Sequence, residues 1–220
     1  FNFSRNGVRA ADGDIEDLDA FRSNTLSIER DDLDTVLDAV LSGAIDPSLD
    51  GARLGLLGHS RGGGIALLGG SERPEAKALV TWAAVSHFDR IADEAALAEW
   101  RRTGVFEVVN SRTGQKLPMG VAFLDDVLAN LARLDLSAAA RRLAVPWLLV
   151  HGTADPTVAF DEANDLLAAA AGPARLLPLD GAGHTFGAVH PFAGPTPHLA
   201  AAAEATLAHL RSALAGASPA

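Results

Sequence analysis

Arg53-Leu54-Gly55-Leu56-Leu57-Gly58-His59-Ser60-Arg61-Gly62-Gly63-Gly64-Ile65-Ala66-Leu67-Leu68 is the stretch on which the fold of this chain turns. The apolar run from Arg53 to Leu57, closed by Gly58, predicts a short buried strand. Ile65 to Leu68 predicts a helix that stops near Gly69, Gly70 and Pro74. Between them, Gly58-His59-Ser60-Arg61-Gly62 has the spacing G-x-S-x-G, in the strand-then-helix context the pattern needs. A turn this tight holds the serine in a strained backbone conformation. Glycines at 58 and 62 leave room for the chain to double back, and the hydroxyl projects beyond the carboxyl end of the strand. The Arg61 backbone N–H, at the helix start, is placed to face a developing oxyanion. Five residues of this kind recur by chance, so their meaning depends on what lies downstream.

Outward from this turn, apolar and helical segments alternate. Leu33, Val36, Leu37, Val40 and Leu41 recur at helical spacing, with Gly43 and Pro47 just past the end. Ala78 to Val85 and Val145 to Val150 are apolar runs that predict strands, and Ala174 to Leu179 predicts a shorter one. Phe160 to Ala171 and Leu199 to Leu214 predict helices. Residues 5–30, rich in acids and containing Asp12-Gly13, predict an irregular loop. Phe1 to Ser4 predicts one further strand. Strands alternating with helices predict an α/β fold, a mostly parallel sheet with helices on both faces. Residues 87–143 break the rhythm. Helices are expected over Ile91 to Arg102 and Ala122 to Leu134, joined by a polar segment around Thr113-Gly114-Gln115. The expected organisation is a core of residues 1–86 and 144–220, with 87–143 as a helical lid inserted on the loop side.

Composition narrows the function classes. The 220 residues, 48% hydrophobic, suffice for one domain with a substantial core. A formal net charge of −10 argues against nucleic acid and anionic membrane surfaces as main partners. No apolar run approaches the roughly 20 residues of a membrane span. Cysteine is absent, which removes disulfides, thiolate metal sites and a cysteine nucleophile. That usage is compatible with a cytoplasmic location.

A serine hydroxyl becomes a nucleophile only with a base, and the base needs an orienting group. His151-Gly152-Thr153-Ala154-Asp155 follows one predicted strand directly, and Gly181-Ala182-Gly183-His184 follows the next. Both fall on loops at the same end of the sheet as Ser60. Asp89, after the strand ending near Val85, is a rival for the acid. His59 reads as a packing residue beside the nucleophile, and His87 as a residue able to line the cleft. Trp82, Trp100, Phe88, Phe106 and Phe123 suit either an apolar pocket or ordinary packing. The Arg61 side chain suits either a carboxylate partner or an acidic part of a substrate. Asp12, Asp14, Glu16, Asp17 and Asp19 read as a solvated loop. The seven histidines show no zinc-ligand spacing, so no metal is expected.

The serine elbow, the H-G-x-x-D turn and the G-x-G-H turn, in that order after strands, resemble the α/β-hydrolase superfamily over almost all of residues 1–215. Within it the chain is similar to dienelactone-hydrolase-like and serine-esterase-like bacterial branches. The resemblance implies Ser60 as nucleophile, Asp155 as acid, His184 as base and a structural His151. Arg61 would supply an oxyanion-hole N–H, while His59, His87, Trp82 and Phe88 are candidates for a substrate pocket by their place in the sequence alone. The implied activity is hydrolysis of a small-molecule ester through an acyl-enzyme, with amides or thioesters as alternatives and no cofactor. A non-catalytic binding module on the same fold is the alternative from another class. The resemblance also implies strands and a second oxyanion donor upstream of Phe1. These residues are therefore expected to be part of a longer hydrolase, weakly active and poorly soluble when alone.

Overall fold

The computed structural model describes residues 1–8, 15–90, 93–110 and 113–215. The chain divides into two compact units, residues 36–87 with 135–220 and residues 1–35 with 88–134.

The first unit holds a four-stranded parallel sheet. Its strands, in spatial order, are β1 (Leu54–His59), β2 (Ala76–Trp82), β5 (Trp147–Gly152) and β6 (Ala174–Leu179). Each link is parallel: Leu57 pairs with Val80, Val80 with Leu148, and Leu148 with Arg175. α3 (Arg61–Glu72), α6 (Leu136–Arg142) and α7 (Phe160–Ala169) pack together on one face, and α8 (Pro197–Leu214) covers the other. A strand flanked on both sides and covered on both faces needs a continuous apolar run. β5 has one, and all six of its positions are buried. Its polar atoms are satisfied internally, since the Trp147 indole donates to Thr81 Oγ1 at 3.0 Å. Val80, Leu148, Val150, Leu179 and Phe186 form a core cluster with Ala202 of α8. Each large side chain buried there stabilises the fold by about 1.5–3 kcal/mol. β1 is different. It pairs with β2 alone among the described residues, and Leu57 within it is 51% exposed.

The second unit is built around Trp100. Its ring lies 5.2 Å from that of Phe106 and stacks with Phe123, and its N–H donates to the Met119 carbonyl. It contains α1 (Leu18–Arg22), α4 (Glu94–Thr103), α5 (Val121–Ala129) and an antiparallel hairpin, β3 (Val105–Val109) with β4 (Lys116–Gly120). Trp100 and Phe123 are thus packing residues of this unit, Phe106 meets Trp100 but is exposed, and Phe88 is buried.

Several expectations need correction. Residues 1–4 form no strand; the Asn6 N–H closes a turn onto the Phe3 carbonyl, and β1 is the first strand among the described residues. Residues 5–30 are not all loop. Asp17 accepts from the Ala20 N–H to cap α1, and Thr25 Oγ1 accepts from the Ile28 N–H where α2 (Leu26–Leu41) begins. The buried face of α2 includes Glu29 and Arg30 beside Leu26, Leu33 and Leu37. Two charges on that face hide its helical period. The polar segment at 113–115 belongs to the hairpin, so 87–143 is not wholly helical. α6, capped by Asp135, packs with α3 in the sheet-bearing unit, while residues 1–35 group with 88–134. The units therefore divide the chain elsewhere than at 86 and 143. Asp12-Gly13, Asp14 and the expected helix start at Ile91 lie outside the described residues.

Candidate active site

Ser60 is the residue between β1 and α3, at φ 55° and ψ −124°. An L-residue there costs on the order of 1–3 kcal/mol. The surroundings enforce it. The Ser60 N–H donates to the Trp82 carbonyl at 2.8 Å, and its own carbonyl accepts from Gly63 N–H at 2.9 Å. A Cβ on Gly58 would run into the Gly62 carbonyl, and one on Gly63 would meet Ala84. Glycine at these positions lets the chain fold back and α3 approach the post-β2 loop. Arg61 is the first residue of α3, so its N–H projects at the positive end of that helix.

Asp155 sits in the turn after β5, and its side chain is fully buried. One carboxylate oxygen accepts from the backbone N–H groups of Thr157 (2.8 Å) and Val158 (3.0 Å); the other accepts from His184 Nδ1 at 2.8 Å. Burial pushes this carboxyl up, but the Val158 N–H, His184 and the Thr157 N–H together hold its pKa below the ordinary 3.8. Because Asp155 takes His184 Nδ1, the proton at that nitrogen faces the acid, and Nε2 is left as the basic atom. Asp89 is exposed instead. His151 is buried, donates from Nε2 to the Val158 carbonyl at 2.9 Å, and lies 3.4 Å from Asp155, fastening the turn. The His184 loop is tied to the same turn, where Ala154 N–H donates to the Ala182 carbonyl. A Cβ on Gly152 would run into that carbonyl.

Asp155 and His184 are thus joined directly. Ser60 Oγ makes no hydrogen bond to His184, although its neighbour His59 touches the His184 loop. Trp82 donates from its indole to Thr206 Oγ1 of α8 and meets Phe186 edge-on, so it serves the core. His87 is half exposed, with Nδ1 at 3.0 Å from Ser86 Oγ. Sequence reasoning missed Glu162. This buried carboxylate on α7 accepts from the Ser86 N–H at 2.8 Å and fixes the loop after β2. It reads in sequence as an ordinary acid in a first helical turn. Among the described residues no cluster of three His, Asp or Glu gathers as for a metal ion, and no helix is long and apolar enough to cross a membrane.

No family model matches the chain, and no curated protein sequence matches it. Solved structures do. A putative hydrolase from Agrobacterium vitis S4 is similar with a TM-score of 0.69 and 21% identity, over 87% of this chain and 70% of that one. The esterase domain of a Rhodothermus marinus protein is similar with a TM-score of 0.55 and 21% identity, over 86% and 70%. A puromycin-hydrolyzing peptidase from Mycobacterium tuberculosis is similar with a TM-score of 0.60 and 22% identity, over 87% of this chain but 26% of the peptidase. The parallel sheet, its flanking helices and these neighbours give this chain the α/β-hydrolase fold.

Proposed function

We propose that the chain is a serine hydrolase cleaving a small carboxylic ester through an acyl-enzyme. The observation that carries this is the Asp155–His184 pair, 2.8 Å apart with the carboxylate fully buried, on a loop bonded to His59 directly before a strained Ser60. His184 Nε2 takes the Ser60 proton as Oγ attacks the carbonyl carbon. The carbonyl oxygen becomes an oxyanion facing the Arg61 N–H, one donor of this kind being worth about 3–4 kcal/mol in the transition state. Asp155 stabilises the imidazolium. The tetrahedral intermediate collapses, the ester C–O bond breaks, and His184 returns the proton to the leaving alcohol. Water repeats the sequence on the acyl-enzyme, releasing the acid and restoring Ser60. Besides the substrate and one water, these steps draw on groups of the chain. Residues 87–143 are proposed to select the substrate.

Amide or peptide cleavage is the second reading, favoured by the fold's likeness to a peptidase. Fluorophosphonate labelling of the wild type and Ser60→Ala, followed by assays on a p-nitrophenyl ester and an aminoacyl anilide, tests both. Labelling and ester turnover in the wild type alone are expected. A folded Ser60→Ala that keeps most ester hydrolysis overturns the assignment, and preference for the anilide selects the second reading. No labelling of native wild type points to a binding module. Replacing residues 88–134, which leaves α6 in place, without changing the ester profile removes that part of the segment from substrate selection.

A further inference from the structure

His59 ends β1 and stands directly before Ser60, and it is not itself part of the chemistry just described. Its Nε2 lies 2.9 Å from the backbone carbonyl oxygen of His184, and the two imidazole rings lie 4.7 Å apart at a tilt of 47°. A carbonyl only accepts, so Nε2 carries the proton and donates. Part of the ring is open to solvent, while the edge bearing Nε2 is packed against the His184 loop. Burial of that edge, with the nearby His184 and His151 imidazoles, holds the His59 pKa below 6.5. The bond to the His184 carbonyl and the Asp155 charge act in the opposite sense.

The hydrogen bonds at Asp155 and Ala154 tie His184 to the turn after β5. Neither bond reaches the strand that carries Ser60, and the reach of Nε2 toward that serine depends on where the His184 main chain sits relative to it. His59 links the base's main chain directly to the strand that carries Ser60.

We propose that His59 is a positioning residue: its Nε2–H fixes the main chain of His184 relative to Ser60, so that the base reaches the nucleophile. The role rests on the reading of Ser60 as nucleophile and His184 as base. A misplacement of about 1 Å at a reacting group costs on the order of 100-fold in rate. The function belongs to the donor, not to the ring. Glutamine carries an N–H donor at a reach similar to that of imidazole Nε2, whereas phenylalanine keeps the ring and loses the donor.

The test compares His59→Phe and His59→Gln in the full chain, using kcat and KM on an activated ester, the fluorophosphonate labelling rate, and the backbone carbonyl ¹³C shift of His184. For His59→Phe, a fall of roughly 30- to 100-fold in kcat and in labelling rate is expected, with KM within about twofold. The carbonyl resonance should move as its donor is lost. His59→Gln should recover most of both the rate and the shift. If His59→Phe does not fold, the smaller donor-free His59→Leu takes its place. Wild-type kcat in the donor-free variant overturns the proposal, and so does a glutamine variant as slow as phenylalanine. A loss confined to KM also overturns it, because it assigns His59 to substrate contact. Should native wild type neither turn over ester nor label at Ser60, the hydrolase reading falls instead, while the carbonyl shift still reports whether the His59 bond exists.

Discussion

β1 and β5 each deliver part of the candidate site, and they are held in opposite ways. β5 has β2 on one side and β6 on the other, and none of its six residues is exposed. β1 has β2 alone among the described residues, and Leu57 and His59 face solvent. Both strands nevertheless carry a glycine in their last two residues that abuts a backbone carbonyl, Gly58 against Gly62 and Gly152 against Ala182. The difference is instructive. The Asp155–His184 pair inherits its rigidity from a strand packed on every side. Ser60 depends on local devices: a strained φ, a close helix and its hydrogen bonds to the post-β2 loop.

The largest expected effect tests the rigid half through its chemistry. Asp155→Asn should lower kcat/KM on an activated ester by about 10³- to 10⁴-fold, because the wrong His184 tautomer is then favoured. A steady-state assay with a rate within tenfold of wild type would break the link between the β5 turn and the base. Next comes packing. Leu148→Ala in β5 should cost about 2–5 kcal/mol of unfolding free energy. Leu57→Ala in β1 should change it by about 0.5 kcal/mol or less. Chemical denaturation of both variants reads this directly, and equal losses would mean that β1 is covered in solution.

A smaller contrast concerns the two glycines. Gly152→Ala and Gly58→Ala both force a Cβ into a carbonyl, a strain of about 1–3 kcal/mol. β5 cannot shift and β1 can, so Gly152→Ala should lower Tm more. The reverse order would show the elbow to be the stiffer element. The smallest effect is in pH. The Asp155 pKa is lowered in the folded chain, so its ionised form contributes stability that is present above the unfolded value and lost as pH falls through the folded one. The stability difference between wild type and Asp155→Asn should therefore hold at neutral pH and shrink below about pH 4. A gap that stays constant down to pH 2 would contradict the depressed pKa.

The sheet-bearing unit was largely legible in the sequence. Its strands are apolar runs punctuated by glycine, and the elbow spacing is a local constraint that sequence records directly. The hairpin was missed because its turn is polar, although Val105-Phe106 and Val108-Val109 carry strand-forming side chains. The start of α2 was missed because Glu29 and Arg30 lie on its buried face, where periodicity looks for apolar residues. The contributions of Glu162 and His59 are contacts between segments distant in sequence. A carboxylate bound to a loop 76 residues away, or an imidazole bound to a carbonyl 125 residues away, leaves no local pattern.

The backbone of Ser60 bears on descent as well as on chemistry. A non-glycine residue at φ 55° is a standing disadvantage that glycine would remove, with a gain on the order of 1 kcal/mol from relaxed strain. Drift would favour that exchange in any lineage that no longer used the hydroxyl, since most proteins sit close to their stability threshold. The residue at this position is therefore a genetic marker. On the proposed reading of Ser60 as nucleophile, serine at the strained site would separate chains with this turn that are under selection for catalysis from those that kept the fold for another use.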